Sequence, residues 1–122
     1  MEGKEDKSLA LHSRKKSFSY AFNGLTILWK EPNAKIHALA TVLVIGLGIF
    51  RNIGRQQWMA LVFAIALVLI TEALNTAIEK LCDYCCDNKI HPAIKVVKDV
   101  SAAAVLLAAL TSIIIAILVF LK

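Results

Sequence analysis

A row of polar side chains interrupts the second of three apolar segments in the chain. In the run TEALNTAIEKLCDYC it comprises Glu72, Asn75, Glu79 and Asp83, which we call the acidic row. Because each residue of an α-helix advances about 100°, the last three fall at about −60°, −20° and +20° from Glu72, on one narrow face. Carboxylates are rare in membrane-spanning helices, where they indicate an ion, proton or substrate site. We therefore place the candidate active site at this row.

The oxygen atoms of the acidic row predict a site for a hard cation. Carboxylates and an amide carbonyl suit Mg²⁺, which usually binds one or two carboxylates together with substrate phosphates. Lys98 and Asp99 add a cation and an acid just before the third apolar segment, and Glu31 adds an acid before the first. A buried glutamate also fits the role of general base. The alternative is a structural polar seam between helices, which usually uses one neutral Asn, Ser or Thr.

The composition predicts the elements that position these residues. Of the 122 residues, 58% are hydrophobic, which is more than a soluble domain usually contains. A helix that crosses the hydrocarbon core needs about 20 residues, and three apolar segments reach that length once their polar ends are counted. We predict an all-α membrane protein that forms a single domain over residues 1–122, with spans at residues 33–50, 57–84 and 92–121.

Residues 13–30 predict an amphipathic helix that precedes the first span. One side carries apolar residues at helical spacing, namely Ala21, Phe22, Leu25, Leu28 and Trp29, and the other side is basic and polar. A helix of this kind lies along a membrane surface. An ordinary amphipathic helix that packs on protein would have the same pattern, so this alternative stays open.

The distribution of Lys and Arg predicts the orientation in the membrane. Seven lie before the first span or within its first turn, and four lie around the loop between the second and third spans, whereas the first loop contains two. Positive loops stay in the cytoplasm. We therefore expect a multi-pass protein of the bacterial inner membrane whose N-terminus and acidic row face the cytoplasm. Anionic lipid accounts for the net charge of +5, and we expect no nucleic-acid partner.

Small residues in the third span predict association between protomers. A single set of three helices leaves little room to surround several buried carboxylates. Small side chains allow helix backbones to approach closely. The relevant residues are Ser101, Ala102, Ala103, Ala104, Ala108, Ala109 and Ser112.

The acidic row and the residues around it resemble the signature of the prokaryotic diacylglycerol kinase family, which includes the undecaprenol kinases. The matching residues are Glu72, Asn75, Glu79 and Asp83, then Lys98 and Asp99, and upstream Tyr20, Gly24, Trp29 and Glu31. The similarity extends over nearly the whole chain. It implies a homotrimer with active sites shared between protomers, which transfers the γ-phosphate of MgATP to the hydroxyl of a lipid alcohol in the bilayer.

The resemblance also implies a role for each matching residue. Glu72 is the expected general base, with Asn75 beside it, and Glu31 and Glu79 are the expected ligands of Mg²⁺. The residues expected to bind the nucleotide are Tyr20, Glu31, Glu79, Asp83, His91, Lys98 and Asp99. The residues expected to bind the lipid alcohol are Arg14, Phe18, Asn33, His37 and Glu72. The stretch from Asn33 to His37 resembles the undecaprenol kinase branch, which favours undecaprenol over diacylglycerol as substrate.

A small oligomeric proton or cation transporter is the alternative function. In that case Glu72 and Glu79 would relay ions across the membrane. The kinase hypothesis also requires Glu31 and the Lys98-Asp99 pair near the same site, which a proton path does not.

Three cysteines near the end of the second span raise a second alternative, a zinc site. Cys82, Cys85 and Cys86 are followed by His91. Because Cys85 points away from the other two on a helix and the segment is predicted on the reducing side, we interpret them as residues that pack between helices.

Overall fold

The computed structural model of the chain describes residues 2–87 and 89–121, with side chains from residue 7 onward. The described residues form four helices and no strand, namely α1 (Glu2–Trp29), α2 (Pro32–Phe50), α3 (Arg55–Cys85) and α4 (Pro92–Phe120). The chain divides into two compact units, Met1–Pro32 and Asn33–Lys122. The assignment of residues 1–122 to a single domain stays a prediction.

Helices α2, α3 and α4 are each long and apolar enough to cross a bilayer. The predicted all-α architecture with three candidate membrane spans is therefore confirmed, and the ends of the helices lie close to the predicted ones. Proline occupies the first position of α2 and of α4, where its missing N–H removes no helical hydrogen bond. His91 caps α4, because its Nδ1 accepts a hydrogen bond from the backbone N–H of Ala93 at 3.2 Å.

Helix α1 begins at Glu2, well before the predicted start near residue 13. Its first half contains several Lys, Glu and Leu residues, which favour helix, and no proline. The prediction followed amphipathic spacing and therefore missed a segment that forms helix through propensity alone. On α1 the aromatic side chains of Phe18, Tyr20 and Phe22 are exposed. The location of α1 on a membrane surface stays a prediction.

Helix α3 packs along α4. Leu61 of α3 is the most deeply buried large side chain of the described residues, and the hydroxyl of Ser112 in α4 donates to the carbonyl of Ala64 at 3.0 Å. At the C-terminal end of α4, Gln57 Nε2 donates to the carbonyl of Val119 at 3.0 Å. Because the last carbonyls of a helix have no partner within it, this bond satisfies one of them and aligns α4 with α3.

Helices α2 and α3 approach closely where Gly48 contacts Trp58. A β-carbon added to Gly48 would lie 2.8 Å from Cη2 of the Trp58 ring and 3.2 Å from Cδ1 of Ile53. By contrast, a β-carbon added to Gly46 would meet nothing within 4 Å. Gly48 therefore has a packing role in the fold that Gly46 does not.

The two glycines give a matched stability test. We expect Gly48→Ala to destabilise the protein by about 1–3 kcal/mol, because the new methyl group forces the Trp58 ring to shift. Gly46→Ala should have almost no effect on packing. Thermal unfolding in detergent, followed by tryptophan fluorescence, compares the two variants. Equal melting temperatures for both would show that the close contact with Trp58 does not stabilise the fold.

Candidate active site

The acidic row lies on α3, and its first two residues along the chain, Glu72 and Asn75, are buried. Glu72 and Asn75 are 2% and 5% exposed, and Thr76 beside them is also buried. Asn75 Nδ2 donates a hydrogen bond to Oε1 of Glu79 at 3.3 Å, one helical turn further along α3. Asn75 and Glu79, two of the four residues that helical spacing places on one face, therefore interact directly.

His37 of α2 contacts the buried carboxylate of Glu72. The distance from His37 Nε2 to Glu72 Oε2 is 3.5 Å, and the side chains are 20% and 3% exposed respectively. The sequence predicted His37 as a residue that binds the lipid alcohol, and it missed this contact. No spacing within either helix indicates it, because the contact depends on how α2 packs against α3.

An ion pair joins α3 to α4 at the other end of the acidic row. Lys98 Nζ donates a hydrogen bond to Oδ1 of Asp83, so the structure brings these two candidate nucleotide-binding residues together. Asp99 instead pairs with Lys95 at 2.7 Å on an exposed face of α4. The predicted role of Asp99 in nucleotide binding stays a prediction.

A basic cavity of about 220 Å³ surrounds the ion pair. His91 and Lys98, both predicted to bind the nucleotide, line it, together with Lys89 and Lys95. Lysine side chains attract phosphate groups as point charges. The sequence reasoning missed Lys89 and Lys95, although Lys95 precedes Lys98 by three residues, which is the spacing of neighbours on one helix face. The cavity fits a ligand that carries phosphates.

The middle of the acidic row fits a hard cation. Oδ1 of Asn75 is buried and has no hydrogen-bond partner among the described residues. A buried oxygen of this kind needs a ligand, water or ion to satisfy it. The Glu79 carboxylate accepts from the same amide, so two oxygen ligands of the type that Mg²⁺ prefers lie together. The donor set therefore fits a hard cation such as Mg²⁺.

The described residues contain no group of three or more His, Cys, Asp and Glu side chains that could hold a metal ion. Cys82 is buried, Cys85 is exposed, Cys86 is half-buried, and all three are free thiols. A zinc site formed by these cysteines and His91 therefore has no assembled ligand set in the part of the chain that the structure describes.

Two buried hydroxyl residues were also missed by the sequence reasoning. Thr76 follows Asn75 on α3, and Ser101 of α4 lines a cavity together with Asn75. Ser101 was interpreted only as a small residue for helix association. Its position three residues after Lys98 is the signal that could have placed it on the same face of α4.

The remaining predicted site residues lie on or near α1 and at the start of α2. Glu31 follows α1 and is half-buried, and Asn33 is an exposed residue of α2. Their predicted roles, and those of the α1 residues, stay predictions. The α1 residues are Arg14, Phe18 and Tyr20.

Comparison with known proteins identifies relatives over most of the chain. The family described as prokaryotic diacylglycerol kinase matches residues 19–120. An undecaprenol kinase of Bacillus subtilis is 37% identical over 110 residues, which cover 87% of this chain and 86% of the relative. A diacylglycerol kinase of a Synechocystis species is 34% identical over 100 residues, which cover 81% of this chain and 57% of the relative.

Proposed function

The chain belongs to the prokaryotic diacylglycerol kinase family, a family of lipid kinases, and we propose that it transfers the γ-phosphate of ATP to the hydroxyl of a membrane lipid alcohol. The observation that supports this most directly is that the buried carboxylate of Glu72 contacts His37 of α2. Glu72 belongs to the acidic row, whose last member, Asp83, lines the basic cavity. Helix α3 therefore carries both a base for the hydroxyl and, at Asp83, one wall of a cavity that fits phosphates.

Each residue of the row has a chemical task in this proposal. Glu72 accepts the proton of the lipid hydroxyl as the general base, which requires the hydroxyl to lie within hydrogen-bond reach of its carboxylate. Phosphoryl transfer depends mainly on alignment and on neutralisation of charge. Lys98 binds the phosphates, and Asp83 holds the Lys98 ammonium group in place. Glu79 and Asn75 would hold Mg²⁺, which when bound neutralises the negative charge of the phosphates.

The proposal places the site at the cytoplasmic face of the inner membrane. The excess of Lys and Arg before α2 and around the loop between α3 and α4 supports this orientation. ATP is then available from the cytoplasm at the end of α3 that carries Asp83. We further propose a homotrimer, as the family resemblance implies. The exposed small side chains of Ala102, Ala103 and Ala104 on α4 support association, because they allow a helix of another copy to approach closely.

A transporter would need a polar path that continues through the bilayer. On α3 the residues from Trp58 to Ile70, which precede the acidic row, are all apolar, so α3 offers no relay beyond Glu72. The kinase proposal needs no such path, because the reaction takes place at one membrane face. This difference favours the kinase.

A labelled-phosphate assay separates the two functions. Purified protein in mixed micelles with Mg²⁺ and γ-labelled ATP should transfer label to an added lipid alcohol. The same preparation in liposomes should conduct no protons when a pH gradient is applied. Proton flux without transfer of label to any lipid would instead establish the transporter.

We propose undecaprenol as the substrate in preference to diacylglycerol. The sequence from Asn33 to His37 supports this choice, as does the similarity to an undecaprenol kinase. We expect a higher kcat/KM for undecaprenol than for diacylglycerol when both are assayed side by side. Asn33→Ala should narrow the preference for undecaprenol over diacylglycerol without abolishing the use of ATP. A diacylglycerol kcat/KM equal to or above that of undecaprenol would refute the polyprenol assignment and leave the lipid kinase proposal intact.

A further inference from the structure

An apolar groove of about 250 Å³ lies between α2, α3 and α4. Small and branched side chains form most of its walls. They include Ala40 and Val44 of α2, Leu61 and Ala64 of α3, and Ala109 and Ala116 of α4. None of these residues belongs to the acidic row, and the proposed reaction gives the groove no task so far.

The polar groups along the groove are already satisfied within the protein. The Thr41 hydroxyl donates to the carbonyl of His37 at 2.7 Å, and the Ser112 hydroxyl donates to the carbonyl of Ala64 at 3.0 Å. The other polar side chain of the described lining is His37 itself. Apart from His37, the walls therefore offer a hydrocarbon surface and no free donor for an ester group or for a second hydroxyl.

The groove begins at the proposed base and extends away from it. His37 lines one end and lies 3.5 Å from Glu72. On α2 the lining residues extend from His37 to Val44, and on α3 they extend in the same direction from Val68 back to Leu61. Each stretch advances by seven residues and therefore rises about 10 Å along its helix. This direction leads from the acidic row into the apolar middle of the spans. A lipid whose hydroxyl reaches Glu72 would extend its chain along this path.

We propose that the groove binds the first part of the hydrocarbon chain of a single-chain lipid alcohol, a prenol, with its hydroxyl between His37 and Glu72. This inference rests on the proposed kinase function and adds the structural basis of its specificity. A diacylglycerol carries two ester-linked chains beside its hydroxyl, and apart from His37 the groove offers neither ester a free polar partner.

Two adjacent isoleucines of α4 give a matched pair for the test. Ile113 lines the groove and Ile114 does not, although the two are similarly exposed at 55% and 58%. Ile113→Ala should raise the KM for undecaprenol roughly tenfold, the effect expected when a hydrocarbon pocket loses contact with its ligand. Ile114→Ala should leave that KM unchanged, and neither variant should change the KM for ATP.

A third variant tests the direction of the groove. On α4 the lining extends from Ala109, at the end of the groove near His37, to Ala116 at the far end. Ala116→Leu therefore fills the end that lies far from His37. It should raise the KM for undecaprenol and leave the KM for dimethylallyl alcohol unchanged, because that prenol has a single isoprene unit and is too short to reach Ala116. A purely structural defect would affect both alcohols alike.

The possible outcomes distinguish failure of the groove inference from failure of the proposed kinase function. If the unmodified protein phosphorylates no lipid alcohol, the proposed function is wrong, and the inference fails with it. If it phosphorylates undecaprenol but Ile113→Ala and Ile114→Ala behave alike, the groove inference is wrong and the kinase stands. Ala116→Leu could also change the size of the oligomer and raise the KM values for undecaprenol and dimethylallyl alcohol by one common factor. In that case the groove is a contact between protomers, which also overturns the inference.

Discussion

Replacement of Glu72 by Gln is expected to lower kcat for lipid phosphorylation by roughly 10²- to 10⁴-fold, which is the usual contribution of a general base. Glutamine has nearly the same size and fills the buried position beside His37. Its amide cannot accept the proton of the lipid hydroxyl. Binding of MgATP should change little, because the basic cavity lies at the other end of the acidic row.

The measurement combines steady-state kinetics with nucleotide binding on the same detergent preparations. Glu72→Asp serves as a graded control, because it keeps a carboxylate but moves it back by one methylene group. Its kcat should fall between that of the unmodified protein and that of Glu72→Gln. An unchanged kcat for Glu72→Gln would show that another group accepts the proton.

Replacement of Glu79 by Gln is expected to weaken MgATP binding by roughly 10- to 100-fold, a range typical of residues that support a metal site. The change removes one negative charge and one oxygen ligand beside the buried Oδ1 of Asn75. Glu31→Gln should act in the same direction, because Glu31 is predicted to bind the same ion. The lipid hydroxyl should still lose its proton to Glu72 once the nucleotide is bound.

A magnesium titration distinguishes Glu79 from Glu72. At fixed ATP, excess Mg²⁺ should restore much of the activity of Glu79→Gln and none of the activity of Glu72→Gln. Asp87→Asn is the matched control, since it also exchanges an acid for an amide near the end of α3. Asp87 has φ 47°, a conformation that Asn adopts as readily, so this variant should behave like the unmodified protein. A magnesium dependence of Glu79→Gln identical to that of Asp87→Asn would exclude Glu79 as a metal ligand.

The sequence predicts those parts of this molecule that depend on one helix at a time. The apolar length of each segment predicts α2, α3 and α4, and Pro32 and Pro92 indicate where two of them begin. Helical spacing alone places Asn75 and Glu79 on one face, and the hydrogen bond between them agrees with that placement. The early start of α1 escapes prediction from amphipathic spacing because the first residues form helix without an apolar face.

Contacts between helices depend on how far one helix is shifted along the next, which no local pattern specifies. The contact of His37 with Glu72 and the approach of Gly48 to Trp58 are of this kind. The same reason explains why the apolar groove could not be predicted, since its walls come from three helices. Lys95 could have been placed beside Lys98 by spacing, but the cavity that they share could not.

The most direct test of the central claim identifies the product without a prior choice of substrate. Purified protein is incubated in vesicles of total bacterial lipid with Mg²⁺ and ATP whose γ-phosphate carries an isotopic label, and mass spectrometry detects every lipid that acquires the label. The account predicts a labelled polyprenyl monophosphate with the unmodified protein and with Asp87→Asn, and labelling that is at least about 100-fold slower with Glu72→Gln. The absence of any labelled lipid from the unmodified protein, or equal labelling by Glu72→Gln, would contradict it.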